Sequence, residues 1–178
     1  MNKQIKFYSQ IGQDYIAISL LKGKLGGTFL DIGCGHPERI NNTLALEKEF
    51  SWTGLSIDID KEYEKYWKES RPDSNFMIAN ALELDYDLLL EDGTISSDID
   101  FLSLDLEPPS VTFDALKRIP FDKIKFNVIA CEHDGYRMGE EFKEEMREYL
   151  KSHDYILFKE LNNQDDVWLH SSFVEEYK

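Results

Sequence analysis

The patterning of this chain predicts an α/β fold, with a mostly parallel seven-stranded sheet covered by helices on both faces. Two observations carry that reading. Strand-like apolar runs alternate with helix-period segments from residue 13 to residue 153, the signature of βαβ units and a parallel sheet. The last two runs, 155–161 and 167–173, are joined only by the polar turn 162–166, so they predict a C-terminal antiparallel hairpin.

The elements follow in order. A helix over 13–25 carries Tyr15, Ile16, Ile18, Leu20 and Leu21 as a broad apolar stripe and stops at Gly26-Gly27. Strand 28–32, helix 42–50, strand 53–59 and helix 61–69 come next, with Tyr63, Tyr66 and Trp67 spaced as a packing stripe in the last. Arg71-Pro72-Asp73 is a turn signal. Strands 75–79 and 100–106 flank an acidic stretch, 83–98, that reads as a solvated insertion or a lid. Helices 110–119 and 140–153 enclose a buried-looking strand at 126–132. No repeat or linker divides the chain, so residues 1–178 are expected to form one domain.

Composition narrows the function classes. Twenty basic against 35 acidic residues give a net charge of −15, which repels phosphate backbones and anionic membranes; no nucleic-acid or membrane partner is expected. Two cysteines, Cys34 and Cys131, sit in or beside apolar runs and suggest a reduced, cytoplasmic protein. The start, MNKQIKFYSQ, has no apolar leader core, and no run approaches the roughly 20 apolar residues of a membrane span.

In an open α/β sheet, ligands bind beyond the carboxyl ends of the strands. There the first strand runs into FLDIGCGHP, residues 29–37. Gly33 and Gly35 offer half of a G-x-G-x-x-G dinucleotide loop, but Glu38 stands where the third glycine belongs and Asp31 adds a second negative charge. Both oppose a pyrophosphate and disfavour an NAD- or nucleotide-binding protein. A cationic nucleoside reverses the argument. In S-adenosylmethionine, Asp31 would hold the ammonium while Gly33, Cys34 and Gly35 let the backbone approach the methionine part. Asp58 would accept both ribose hydroxyls, and Asn80 after the third strand would read the adenine amine, with Ile59 and Ala81 beside them.

At this point the chain resembles the FkbM-type methyltransferases, a family of class I S-adenosylmethionine-dependent enzymes with a Rossmann-like sheet. The residues that carry the resemblance are YSQIGQD (8–14), FLDIGCGHPERINNTLALEKEFSWTGLSIDID (29–60), DFLSLDLE (100–107), FNVIACEHD (126–134), and Tyr155 and Trp168 near the end. The resemblance implies cofactor contacts at Gln10, Asp31, Gly33, Gly35, Asp58 and Asn80, and methyl transfer to a hydroxyl of a sugar, glycan or natural product. The chain departs from the family where Glu107 is followed by Pro108-Pro109 instead of glycine, and where Asp58 replaces the commoner glutamate.

Two ways of handling the acceptor's proton suit this sequence. In one, a histidine takes it: His133, beyond the fifth strand, is expected first and His36 second, with Asp105 beside the reacting atoms. In the other, Mg²⁺ held by Asp105, Glu132 and Asp134 lowers the acceptor's pKa, as acids after the fourth and fifth strands do in catechol-type methyltransferases. The chain's brevity leaves no substrate domain, so the acceptor pocket could need a homo-oligomer. A cofactor-binding, non-catalytic member is the rival from another class.

Overall fold

The computed structural model describes residues 5–175; the first four residues of the stretch read for a leader lie outside them. Seven strands form one sheet: β1 (Thr28–Ile32), β2 (Thr53–Asp58), β3 (Asn75–Ile78), β4 (Asp98–Leu104), β5 (Lys125–Glu132), β6 (Tyr155–Leu161) and β7 (Asp165–His170). Their order is β3-β2-β1-β4-β5-β7-β6. The first five pair in parallel. Only β7 runs against its neighbours, pairing antiparallel with both β5 and β6. The predicted fold class is what the chain adopts, down to the terminal hairpin.

The helices are α1 (Gln13–Leu20), α2 (Leu44–Phe50), α3 (Tyr63–Ser70), α4 (Tyr86–Glu91), α5 (Pro109–Leu116), α6 (Gly135–Met138), α7 (Glu140–Lys151) and α8 (Ser171–Glu175). Alternate residues of the central strands point to opposite faces, which makes two apolar layers. Leu30, Ile32, Leu102, Leu104 and Ile129 pack under one set of helices. Phe29, Phe101, Val128 and Ala130 pack against α1 and α2 on the other face.

Most boundaries shift by a residue or two from the sequence expectation, and four larger differences have a local reason. The first helix ends five residues early because Lys22 and Gly23 turn left-handed and Gly23 N–H closes onto Ile18 O at 2.9 Å. Strand β4 ends at Leu104, so Asp105 and Glu107 lie in the loop beyond it. The acidic stretch 83–98 is neither insertion nor lid: it carries α4, whose Tyr86 and Leu89 are buried on the crossover from β3 to β4. The last strand stops at His170, and Ser171–Glu175 turn into α8. Among the described residues, no helix is long and apolar enough to cross a membrane.

Candidate active site

Strand order reverses between β1 and β4, so the crevice at their carboxyl ends is the place for a ligand. Gly33 opens it at φ +85, and a Cβ there would lie 1.7 Å from Asp105 O; only glycine lets the β1 loop pass that close. Gly33 N–H and Cys34 N–H both donate to Ile57 O, at 2.9 and 3.1 Å. At Gly35, φ is +57 and nothing lies within 4 Å of a Cβ, leaving an open backbone face. Asp58 is clamped at both oxygens, accepting from Gly35 N–H and from Asp60 N–H at 2.8 Å each. It lines a cavity of about 270 Å³ together with Gly33, Ile59, Asn80, Ala81, Leu82, Leu106 and Val111. Asn80 Oδ1 accepts from Leu82 N–H at 3.0 Å, which orients the amide.

The structure thus gathers Gly33, Asp58, Ile59, Asn80 and Ala81 around one slot. Leu82, Leu106 and Val111 are walls that no charge or glycine signal marked in the sequence. Asp31 is placed differently from its expected role. It is 1% exposed, accepts from Thr43 Oγ1 at 3.0 Å and is hydrogen-bonded by Ser103; burial pushes its carboxyl up to about 6 against the hydroxyls and Arg71. In this position it anchors the loop after β1 and is closed off from the cleft. Cys34 is buried as well, and burial raises its thiol well above the ordinary range. Gln10 is exposed on a loop folded around Asp14, which accepts from Tyr8 N–H at 2.7 Å.

A second constellation sits where β4, β5 and β7 end together. Asp105 and Glu132 follow or close neighbouring strands, and their carboxyls hydrogen-bond to each other. Burial and the adjoining carboxylates raise both, Glu132 up to about 10, so the pair holds a proton at neutral pH. Asp165 lies across from Glu132 in the β5–β7 register. It accepts from Gln13 Nε2 at 2.9 Å, and burial lifts it to about 7.

His133 does not reach the cleft. It is 1% exposed, its Nδ1 accepts from Gly135 N–H at 2.9 Å, and its Nε2 faces Asp166 Oδ1 at 3.4 Å. That geometry ties β5 to β7 and leaves no lone pair for an acceptor.

The expected metal set does not fit either. Among the described residues, the acids and histidines whose ligand atoms converge are His133, Glu160 and Asp166, not Asp105, Glu132 and Asp134. Those two carboxylates already pair with Arg147, and Glu160 also with Lys143.

A glycine loop after β1, a carboxylate closing β2 and an apolar slot between them define a Rossmann-like, nucleoside-binding protein. The "Methyltransferase FkbM domain" profile matches residues 11–157; the chain belongs to the FkbM methyltransferase family. Solved structures share the fold. A protein described as an rRNA-methylase from Clostridium thermocellum superposes with a TM-score of 0.61 at 18% identity, over 92% of this chain and 97% of that one. The Methanococcus jannaschii fibrillarin pre-rRNA processing protein gives 0.60 at 13% identity, over 83% and 68%. M. capricolum TrmK, in complex with S-adenosylhomocysteine, gives 0.56 at 14% identity, over 88% and 68%. No curated protein is a significant match to the chain.

Proposed function

We propose that this chain, as one class I domain, is an S-adenosylmethionine-dependent methyltransferase acting on a hydroxyl of a small sugar, glycan or natural-product acceptor. The observation that supports it most is Asp58, held by two backbone N–H groups in the wall of an apolar slot. A carboxylate so placed accepts two vicinal hydroxyls, and the slot beyond it suits a purine. A sulfonium supplies the electrophilic methyl when bound.

The chain's own residues position, exclude water and take a proton. Gly33 and Gly35 leave room for the nucleoside's sulfur arm, and Leu106 and Val111 shield the slot. Asp105, whose backbone touches the Gly33 loop, shares its proton with Glu132. As the acceptor oxygen gains the methyl, its proton passes to the free oxygen of this pair, which then carries two. The net charge of −15 supports a small acceptor over a nucleic acid, although the structural neighbours include proteins named for rRNA.

Thermal unfolding with S-adenosylmethionine, S-adenosylhomocysteine, NAD⁺ or ATP tests the reading. A ligand at about 100 times its Kd stabilises by about 2.7 kcal/mol, a rise of roughly 5–10 °C at this size. A rise with the two sulfur nucleosides alone is expected. A rise with NAD⁺ or ATP alone would replace the methyltransferase with a nucleotide-binding protein, and binding without turnover of any acceptor would favour a non-catalytic member.

A further inference from the structure

The cofactor slot and the Asp105–Glu132 pair meet in the loop after β4. Leu106 and Glu107 line the slot, and Asp105 directly precedes them. From Glu107 an arginine leads back to the buried acids. Arg137 Nη1 donates to Glu107 Oε1 and to Asp134 Oδ2, at 2.7 Å each, and so bridges the loops after β4 and β5. The side chains of Arg137 and Glu107 are 44% and 64% exposed, whereas that of Asp134 is 2% exposed. The bridge is anchored in the interior at one end and open to solvent at the other.

Asp134 is fixed in place by its backbone. It sits in the left-handed region at φ +44, a conformation that aspartate tolerates better than most residues. Its N–H and that of His133 both donate to Gln164 O, at 2.9 and 2.8 Å. The registers of β4 with β5 and of β5 with β7 bring Asp105, Glu132 and Asp165 together, and the charge of Asp134 raises all three. Asp134 Oδ1 and Glu132 Oε2 are both buried, yet neither has a hydrogen-bond partner among the described residues. Buried acceptors left unpaired are costly, so these two oxygens call for a donor.

The chemistry of that donor is narrow. A carboxylate or phosphate would add negative charge to a group already crowded with it. A neutral hydroxyl could donate to an open oxygen but would leave the excess charge in place. A cation with N–H donors meets both needs, and Arg137 shows the geometry, with one nitrogen 2.7 Å from Glu107 and from Asp134. Charge-assisted hydrogen bonds of this kind are about twice as strong as neutral ones.

We propose that the acceptor carries a protonated primary amine beside its reacting hydroxyl, and that this ammonium takes the place of Arg137 between Asp134 and Glu107. The proposal deepens the methyltransferase reading and rests on it. The hydroxyl oxygen bonds the methyl carbon as the carbon–sulfur bond breaks, and that bond's electron pair stays on sulfur. The hydroxyl proton passes to the Asp105–Glu132 pair. The amine has its lone pair committed to a proton and does not attack, so the carboxylates that bind it direct methylation to oxygen.

Calorimetry on the S-adenosylhomocysteine-saturated protein at neutral pH tests it with three small phenyl compounds that differ in charge: phenylglycinol (cationic), styrene glycol (neutral) and mandelate (anionic). Phenylglycinol is expected to bind about tenfold more tightly than styrene glycol, and mandelate not to bind. Glu107→Gln is expected to weaken phenylglycinol and leave styrene glycol unmoved. Arg137→Met is expected to tighten phenylglycinol, because the protein's own cation no longer competes; a purely structural bridge would loosen it instead. Equal binding of phenylglycinol and styrene glycol, tighter binding of mandelate, no binding of phenylglycinol, or unchanged or weaker binding of it in Arg137→Met would overturn the ammonium site. S-adenosylhomocysteine stabilisation of the wild type, read first, separates the two readings. With it present, any of those results removes the ammonium alone; its absence removes both.

Discussion

Asp31→Asn isolates the cost of burying a carboxylate under the β1 loop. In the fold, Asp31 is 1% exposed and its carboxyl is pushed from 3.8 up to about 6. A raised carboxyl binds its proton more tightly in the folded than in the unfolded chain. Its stabilising contribution is therefore full below the unfolded value and is lost as pH rises through about 6. The shift of about two units, at about 1.4 kcal/mol each, is worth on the order of 3 kcal/mol. Asparagine keeps an acceptor for Thr43 Oγ1 and removes the titration. Against wild type, the variant should gain about 3 kcal/mol between about pH 4 and about pH 7, which at about 2–4 °C per kcal/mol is roughly 6–12 °C in Tm. The assay is thermal unfolding of both proteins across that range, reading only their difference so that the other acids cancel. Parallel curves would refute the reasoning: Asp31 would then titrate alike in both states, and the burial argument would fail.

Other perturbations probe the cleft. Asp58→Ala removes the carboxylate from the slot's wall and should weaken S-adenosylhomocysteine by about 10–100-fold in calorimetry, as expected for hydrogen bonds to a charged group; unchanged affinity would displace the pocket. Gly33→Ala puts a methyl 1.7 Å from Asp105 O at φ +85; it should cost more than the roughly 1–2 kcal/mol of a left-handed residue alone, measured by urea unfolding. Glu132→Gln breaks the shared-proton pair and should lower turnover with little change in cofactor affinity, whereas full activity would send the proton elsewhere. His133→Ala should lower stability, since it empties a buried position between β5 and β7, and leave turnover in whatever fraction stays folded; abolished turnover with an unchanged Tm would restore histidine as the base.

Local pattern determined a good deal of this protein. The apolar runs at 28–32 and 155–161 match β1 and β6 to the residue, because buried parallel strands and a hairpin strand write their environment directly into composition. The glycines at 33 and 35 were legible for the same reason: a backbone that must turn left-handed admits few residue types. The misreadings came where a residue's partner lies far away in the chain. Arg71 looked like part of a turn, yet it is buried at 6% and locks Asn41 from 30 residues away. His133 looked like a free base at a strand end until β7 slid between β5 and β6 and set Asp166 against it. That same insertion places Asp165 across from Glu132 and brings acids from distant segments together. Periodicity reports which face of an element is buried, whereas strand order and side-chain pairing depend on contacts between segments whose sequence separation carries no signal.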